Sequence, residues 1–565
     1  MLRLSNVLKL GPLNPTYYRK PFITSSNLTF PTSDKKFKIS DETTKNIDLG
    51  MSANRVDHMV TSRTVPMMLT NREPIILPFD EVPGPKSLKY LSQVRSYLSD
   101  LGTQVTTTCL TFWLNAETLI TQRKSLKNLS SLFDEYGPVV RFVSPVGGNI
   151  VLLNHPEHIE KVFDVDGEFP VRSALDSLEK YRREHKSLLL SGLYSPHGEE
   201  WSRKRLALSA PLHQAISQHV QGMHEITDTF TNKVYNHRNP QDELTKDLYR
   251  EIHKWAFDNM GLILFSKKFS TLDKEDAYSP QCDDSLLYHS LDKASVAIMR
   301  CESGLQLWKL VATPAWRALV KHCTSMDNLI GKRVLELEHD ITQSEESGTL
   351  INTMLGKEKM SEADVTTVLM DMLLLGVNTI SSSMSFLLYF LAKHQSCQKR
   401  LYSELEGLYP GFNVTDIKNL KNESPYLQAC IKETLRLVPP IPLITRILHK
   451  NITLDKYKIP RGTTIVMSTM DAAQKESNFE DAAKFMPERW LAPEAKDYHP
   501  FASIPFGYGT RKCLGQNIAE TMLSLLTVKI LQKFKLEYHY GDIHPTRNFI
   551  TRPNKSLKIR FIDRI

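Results

Sequence analysis

Two short apolar runs near residue 145 predict a β-hairpin. Residues 139–143 and 150–153 are rich in valine and isoleucine, and the segment between them contains one proline and two glycines. β-Branched residues favour strands, whereas proline and glycine favour turns. Pro156 follows and suits the first turn of a helix. We expect that helix to extend to about Phe163.

The remaining pattern is mostly helical. From Pro211 to about Leu437 the apolar positions favour helices, and short strands are expected at 443–448 and 463–466. No fixed-period repeat is found. The sequence therefore predicts a mainly α protein with small β-sheets, an α+β fold.

The longest apolar stretch, Val365–Ala392, meets the length criterion for a membrane span. Ser361 and Asp364 form a capping pair before it, so a helix should run to about Lys393, a length of roughly 50 Å. A transmembrane helix and a buried central helix are both compatible with this length. Polar residues in the middle of the stretch favour the buried helix, because lipid penalises them.

The chain divides into a polar N-terminal part and a folded domain. Residues 41–81 are polar without sustained periodicity, and they end at the stiff segment 82–86, which contains two prolines. We predict a linker at 41–81 and a single domain at 82–565.

The net charge of +8 is concentrated at the N-terminus. Residues 1–40 carry seven basic residues and one acidic residue, and they are rich in Ser, Thr, Asn and Pro. This composition is typical of an organelle transit peptide, although an unstructured basic terminus has a similar composition. The rest of the chain lacks basic clusters with a recognisable reading module, which argues against nucleic-acid binding.

The seven cysteines indicate a reducing compartment. Their number is odd, and no C-x-x-C or His/Cys spacing suits zinc. A disulfide framework is therefore not expected.

One cysteine, Cys513, stands in a glycine-rich segment just before the helical run 516–534. A helix N-terminus favours thiolate over thiol, and Arg511 lies close in sequence. A thiolate in this position could ligate iron. Taken alone, such a cysteine is more often a small buried apolar residue.

The whole segment has the pattern F-x-x-G-x-R-x-C-x-G, formed by Phe506, Gly509, Arg511, Cys513 and Gly515. This pattern resembles the haem-thiolate signature of the cytochrome P-450 family. The resemblance implies the P-450 fold, with haem b between the central oxygen-binding helix and the helix after the cysteine loop. It also implies that Cys513 is the axial iron ligand and that the protein is a monooxygenase.

Further motifs resemble the same family. Glu433-x-x-Arg436 matches its E-x-x-R motif, and Arg489 matches the arginine that completes a buried triad. The resemblance implies that haem propionates contact four more side chains, which are Trp201, Arg205, Arg446 and Arg511.

The central helix departs from the family pattern. Residues 375–380 align with the family's pattern [AG]-G-x-[DE]-T-[TS] on the oxygen-binding helix. The resemblance implies that Gly376 allows close approach to the iron-bound ligand and that Thr379 helps to deliver protons. Leu375, Asn378 and Ile380 depart from the pattern. Asn378 can orient water but cannot release a proton near neutral pH, so the acid–alcohol relay is incomplete.

The transit-like leader makes the chain similar to mitochondrial members of the family. These members associate peripherally with the matrix face of the inner membrane and receive electrons from a [2Fe–2S] ferredoxin with its NADPH-dependent reductase. Lys432 and Lys512 match expected docking positions. Gln428, Gln516 and Asn517 stand where relatives commonly carry basic residues.

The resemblance implies a lipophilic small-molecule substrate, with a sterol or an ecdysteroid as the closest suggestion. Two alternatives stay open. The incomplete relay could suit a haem-thiolate isomerase or dehydratase that needs no external oxygen activation. A non-catalytic haem-binding or lipid-binding protein would also keep the iron-binding motifs.

Overall fold

A long helix crosses the core of the protein. The computed structural model describes residues 75–85, 127–143, 149–173, 175–186, 192–193, 198–273, 282–302, 307–341, 349–409, 417–491, 497–546 and 549–564. All of these residues belong to one unit, Arg72–Ile565. The predicted leader, linker residues 41–74 and Cys109 lie outside the described residues.

The described helices surround that central helix, α10. In chain order they are α1 (Lys127–Tyr136), α2 (Pro156–Asp164), α3 (Asp176–His185), α4 (Gly198–Gln218), α5 (Val220–Asn236), α6 (Leu248–Phe265), α7 (Asp283–Glu302), α8 (Pro314–Ile341), α9 (Leu350–Asn352), α10 (Glu362–Lys393), α11 (Gln395–Leu408), α12 (Ile417–Glu423), α13 (Pro425–Leu437), α14 (Thr469–Ala473) and α15 (Gln516–Lys533). Helix α4 continues through Pro211, beyond which the sequence predicted mostly helices.

Helix α10 starts and ends where the sequence predicts. The Ser361 hydroxyl oxygen accepts a hydrogen bond from the Asp364 N–H at 3.1 Å, which satisfies an otherwise unpaired helix donor. The helix packs against α6, α8, α13 and α15. Most of its side chains, polar ones included, are buried in the protein, so the buried-helix interpretation fits the structure.

The β-structure is small and lies beside the helices. Strands β1 (Val139–Val143), β2 (Asn149–Leu153), β6 (Thr464–Ser468) and β3 (Leu443–Ile447) form a four-stranded sheet in the order β1-β2-β6-β3. The predicted hairpin is present as the antiparallel pair β1 and β2, whereas β2 and β6 are parallel. Short two-stranded sheets are formed by β4 (Ile452–Leu454) with β5 (Tyr457–Ile459), β7 (Phe534–Glu537) with β10 (Arg560–Asp563), and β8 (Pro545–Thr546) with β9 (Arg552–Pro553).

The folded unit begins before the predicted boundary at Val82. Leu77, assigned to the linker from the sequence, donates its backbone N–H to Lys456 O at 2.7 Å. Arg141 of β1 forms an ion pair with Asp80 at 2.7 Å. A Cβ atom at Gly84 would lie 2.0 Å from Arg141 O, so this close approach requires glycine. Residues 75–81 therefore pack on the domain.

Candidate functional site

The cysteine loop is held open by two glycines with left-handed backbone angles. Gly507 has φ +70° and Gly509 has φ +69°, a region that side chains other than glycine rarely adopt. The Cys513 N–H donates to Phe506 O at 2.8 Å and closes the loop. Gly515 is the N-cap of α15, so the sulfur lies just before the first turn of that helix.

Burial and hydrogen bonding act in opposite directions on the Cys513 thiol. Desolvation raises its pKa, whereas the Gly515 N–H and the charges of Arg205 and Arg172 lower it, and burial is the larger effect. Coordination to a metal ion would deprotonate the thiol outright.

A cavity of about 1,660 Å³ separates the cysteine loop from α10. Gly376 and Thr379 line it on the helix side, and Cys513, Phe506 and Gly515 line it on the loop side. A site for one small ligand commonly measures ~300–1,000 Å³. The cavity is therefore large enough for a cofactor and a substrate together.

Four arginines of the described residues line the cavity, and nothing in the sequence indicated that one of them, Arg172, belongs to this group. Arg205, Arg446 and Arg511 were expected there, and Arg172 lines the same wall. Burial, together with the charges of Arg172, Arg446 and Arg205, lowers the pKa of Arg511 to about 9. Arg172 follows Val171, which pairs with Ile447 of β3, a long-range contact without a sequence signal. This concentration of positive charge suits an anionic ligand.

The other contacts of these arginines fix their orientation. Arg511 donates from Nε to Pro170 O at 3.0 Å, and Arg205 donates to Lys512 O. Arg446 pairs through Nε with Asp166 Oδ2 at 2.6 Å. Trp201, which is 2% exposed, lies under the Arg511 guanidinium and lines the cavity as well.

Thr379 and Gly376 occupy the opposite wall. The Thr379 hydroxyl donates to Leu375 O at 2.9 Å, which leaves its oxygen lone pairs for a ligand in the cavity. A Cβ atom at Gly376 would lie 2.9 Å from Met260 Cε. The glycine therefore also makes room for a side chain of α6, a role that the sequence did not suggest.

Asn378 is turned to other partners. Its Nδ2 donates to Ser295 Oγ at 2.8 Å and to Leu374 O at 2.7 Å, and its Oδ1 accepts from Arg552. It does not line the cavity formed by the described residues. The predicted role of Asn378 in orienting water beside the reacting oxygen finds no support in this geometry.

Glu433, Arg436 and Arg489 meet in the protein interior. Arg436 donates to Glu433 Oε1 at 2.7 Å and to Oε2 at 2.9 Å, and Arg489 donates to Oε1 at 3.0 Å. All three side chains are 0% exposed. Trp490 Nε1 donates to the same carboxylate at 2.9 Å, a fourth partner that the sequence did not identify.

The donor set fits haem b. Among the described residues it offers one cysteine sulfur, a group of arginines for two propionates and a cavity of sufficient volume. A family model for cytochrome P-450 matches residues 106–561. The chain belongs to the cytochrome P-450 family. Its cofactor is haem b with a cysteine thiolate ligand, and the enzyme is a monooxygenase.

Named relatives and solved structures agree with this assignment. The chain is 28% identical to probable cytochrome P-450 301a1, mitochondrial, of Drosophila melanogaster, with 86% of this chain and 87% of the relative covered. It is also 28% identical to the mitochondrial 1,25-dihydroxyvitamin D(3) 24-hydroxylase of Mus musculus, with 78% and 85% covered. The crystal structure of the cytochrome P450DA heme domain has a TM-score of 0.67 at 18% identity and covers 87% of this chain and 98% of that chain.

In this P-450, each group around the haem site has a distinct task. The bound haem supplies the iron at which oxygen is activated. Cys513 would ligate the iron, and the Gly515 N–H bonded to its sulfur would tune the ligand. Arg205, Arg446 and Arg511 would hold the propionates, because a guanidinium pairs bidentately with a carboxylate. The buried triad, with Trp490, joins α13 to the segment around Arg489.

The predicted docking residues lie on the surface of the P-450. Lys432 and Lys512 are both exposed, and Lys432 Nζ lies 5.6 Å from the centroid of the Trp490 ring. The two glutamines near these lysines, Gln516 and Gln428, form hydrogen bonds with acidic or polar side chains. Gln516 donates to Glu520 Oε1 at 2.7 Å, Lys421 pairs with Glu520, and Gln428 donates to Ser524 Oγ at 3.3 Å. Glu520 thus offsets part of the positive charge at this surface.

Proposed function

We propose that this P-450 hydroxylates a lipophilic substrate, a sterol or ecdysteroid, with O₂ and electrons from a mitochondrial [2Fe–2S] ferredoxin and its reductase. The observation that carries the proposal is the shared cavity, in which Cys513 lies on one wall and Thr379 on the other. Hydroxylation requires a substrate to reach the space between them.

The apolar side chains in the wall of this cavity support a lipophilic ligand. Leu175, Leu193, Met260, Met372 and Phe549 line it. Glu302 lines it as well, and its carboxylate accepts from the Ser177 N–H at 2.8 Å and from the Ser177 hydroxyl at 2.5 Å. Apolar side chains beside a buried polar group suit a steroid that carries hydroxyl groups.

Mitochondrial location is supported by two independent observations. The basic leader of 40 residues has the composition of a transit peptide. The fly and mouse relatives are both named mitochondrial. A ferredoxin partner follows from this location, and exposed Lys432 and Lys512 supply positive charge for it.

Peripheral association with the inner membrane is supported by an apolar surface between α7 and α8. Leu307 is 49% exposed, Leu310 81% and Val311 62%. Large apolar side chains that are adjacent and exposed are typical of membrane or protein contacts.

The decisive experiment combines binding and turnover. Purified holoenzyme is titrated with cholesterol, an ecdysteroid and 1,25-dihydroxyvitamin D3, and the shift of the ferric Soret band is recorded. Ligands that bind are then incubated with O₂, a mitochondrial-type reductase and ferredoxin. We expect a hydroxylated product that depends on both O₂ and reductant, and Thr379→Ala should consume O₂ with less product.

Other outcomes separate the competing functions. A product that forms without O₂ or reductant would indicate an isomerase or dehydratase instead. Tight binding without turnover under any redox partner would indicate a lipid-binding protein. Unchanged coupling in Thr379→Ala would contradict the proposed role of that hydroxyl.

A further inference from the structure

The C-terminal hairpin, which the structure describes at residues 545–546 and 549–553, contacts α10 through two pairs of polar side chains. Arg552 donates from Nη2 to Asn378 Oδ1. Thr551 Oγ1 lies 3.1 Å from Ser382 Oγ. Residues 378 and 382 are one turn apart and therefore face the same side of the helix. The hairpin thus rests on one face of α10.

The amide of Asn378 is fixed by all of its hydrogen-bonding atoms. The Ser295 hydroxyl donates to Leu291 O at 2.7 Å, so its oxygen is left to accept from Asn378 Nδ2. Leu374 O accepts the other contact of Nδ2. Oδ1 therefore points toward Arg552, and Asn378 is only 1% exposed.

An amide suits this position better than the carboxylate of the family pattern. A carboxylate only accepts, so it could not donate to Leu374 O or to Ser295. His253 lies nearby, and burial lowers its pKa to about 4, so it is neutral at physiological pH. The group that faces the Arg552 guanidinium is thus a neutral acceptor held by neutral partners.

The joint between hairpin and helix is closely packed. A space of about 20 Å³ remains beside Asn378, Ser295 and Arg552, and Phe549 of the hairpin also lines it. This volume holds about one water molecule. Phe549 and Thr546 of the same hairpin line the large cavity.

We infer that the Asn378–Arg552 contact fixes the C-terminal hairpin on α10 and thereby positions Phe549 in the wall of the cavity that Cys513 and Thr379 also line. Asn378 is a positioning residue, because its Oδ1 holds Arg552 while its Nδ2 is held by Ser295 and Leu374. The hairpin part of the inference stands on the contacts alone. Its effect on substrate rests on the proposed function.

The test measures hairpin opening in the holoenzyme by hydrogen–deuterium exchange. The Thr551 N–H, which donates to Pro440 O at 2.9 Å, reports the docked state. Asn378→Leu and Arg552→Met should each accelerate exchange of residues 549–553 about tenfold or more, the size expected when a hydrogen bond to a charged group is lost. The double variant should exchange no faster than the single variants, because both remove one contact.

Two further variants sharpen the comparison. Asn378→Asp keeps an acceptor for Arg552, so its hairpin should exchange as slowly as the wild type. Ser385→Ala removes a hydrogen bond within α10 to Ser381 O at 2.7 Å and should leave the hairpin unchanged. The ferrous–CO spectrum of each variant verifies that the haem site is intact, and Arg552→Leu, which also lacks a donor, serves if Arg552→Met does not fold.

The results that would overturn the inference are specific. Hairpin exchange that is unchanged in Asn378→Leu and Arg552→Met, additive effects in the double variant, or rapid exchange in Asn378→Asp would each do so. If a steroid of the panel binds, both single variants should raise its KM more than they lower kcat. A loss of coupling at unchanged KM would instead indicate proton delivery by Asn378. Exchange decides the hairpin contact even if no steroid binds.

Discussion

The guanidinium carbon of Arg511 lies 3.4 Å from the centroid of the Trp201 indole ring. Both side chains are buried, at 6% and 2% exposure. A desolvated contact between a cation and an aromatic face contributes ~2 kcal/mol or more. The ring therefore holds one arginine in position while other arginines repel it.

Replacing Trp201 should weaken haem retention through this contact. Trp201→Leu removes the aromatic face and should accelerate transfer of haem to apomyoglobin roughly tenfold or more, from the magnitude of such contacts. Trp201→Phe keeps an aromatic ring and should lose haem more slowly than the leucine variant. Equal rates in wild type and both variants would contradict this role of Trp201.

Cys513 should determine the optical spectrum of the enzyme. In Cys513→Ala the thiolate is absent, and the ferrous–CO complex should lose its red-shifted Soret band. Cys282→Ala serves as a control, because Cys282 does not line the haem cavity. A red-shifted band retained in Cys513→Ala would assign the ligand to another residue.

The Glu433 triad should control the stability of the fold. Glu433→Gln leaves two buried guanidinium groups without a counter-charge and should lower the free energy of unfolding by about 3–5 kcal/mol. The control variant Lys484→Met removes a surface ion pair with Asp481 at 2.9 Å. It should change the free energy of unfolding by ~0–1 kcal/mol. Urea unfolding measures the free energy of unfolding of both variants. A similar loss of stability in the two would contradict the prediction that the buried triad stabilises the fold more than a surface ion pair does.

Glu302 should make stability depend on pH. Burial raises the pKa of this carboxyl to about 7. Its folded pKa is above its unfolded pKa, so its contribution to stability is full below about pH 4.5 and is lost as pH rises through about 7. Glu302→Gln stays neutral and can still accept from Ser177, so it should gain stability relative to wild type between pH 5 and pH 8.

The measurement for Glu302 is urea unfolding at both pH values. The exposed Glu336, changed to Gln, provides a surface control and should leave the pH dependence of wild type intact. An equal difference between Glu302→Gln and wild type at pH 5 and pH 8 would show that the carboxyl does not titrate in this range.

Lys432 and Lys512 should govern reduction by ferredoxin. Changing either to Glu reverses a charge at an exposed position and should slow electron transfer at low salt, because attraction to an acidic partner is weakened. The difference from wild type should shrink as ionic strength rises. Lys332→Glu, which alters an exposed lysine paired with Asp283 on α7, is the control. A slow rate that is independent of salt would indicate a different cause.

Much of the fold could be predicted from local patterns. The hairpin of β1 and β2, the helix from Pro156 and the bounds of α10 depend on neighbouring residues, such as the Ser361–Asp364 cap. The packing of residues 75–81 could not be predicted, because Leu77 pairs with a strand almost 400 residues later in the chain. A polar segment without periodicity gives no sign of such a partner.

From the sequence, the resemblance to the family predicted Cys513 as the haem ligand, the cysteine loop and the residues of the buried triad. These groups lie in short motifs whose spacing fixes the local backbone. Only the tertiary structure decided that Arg172 joins the arginines, that Trp490 also binds Glu433, and that Asn378 bonds to Arg552 and does not line the cavity. The physical reason is that spacing along a helix gives the face of a side chain, whereas its partner depends on which distant segment packs against that face.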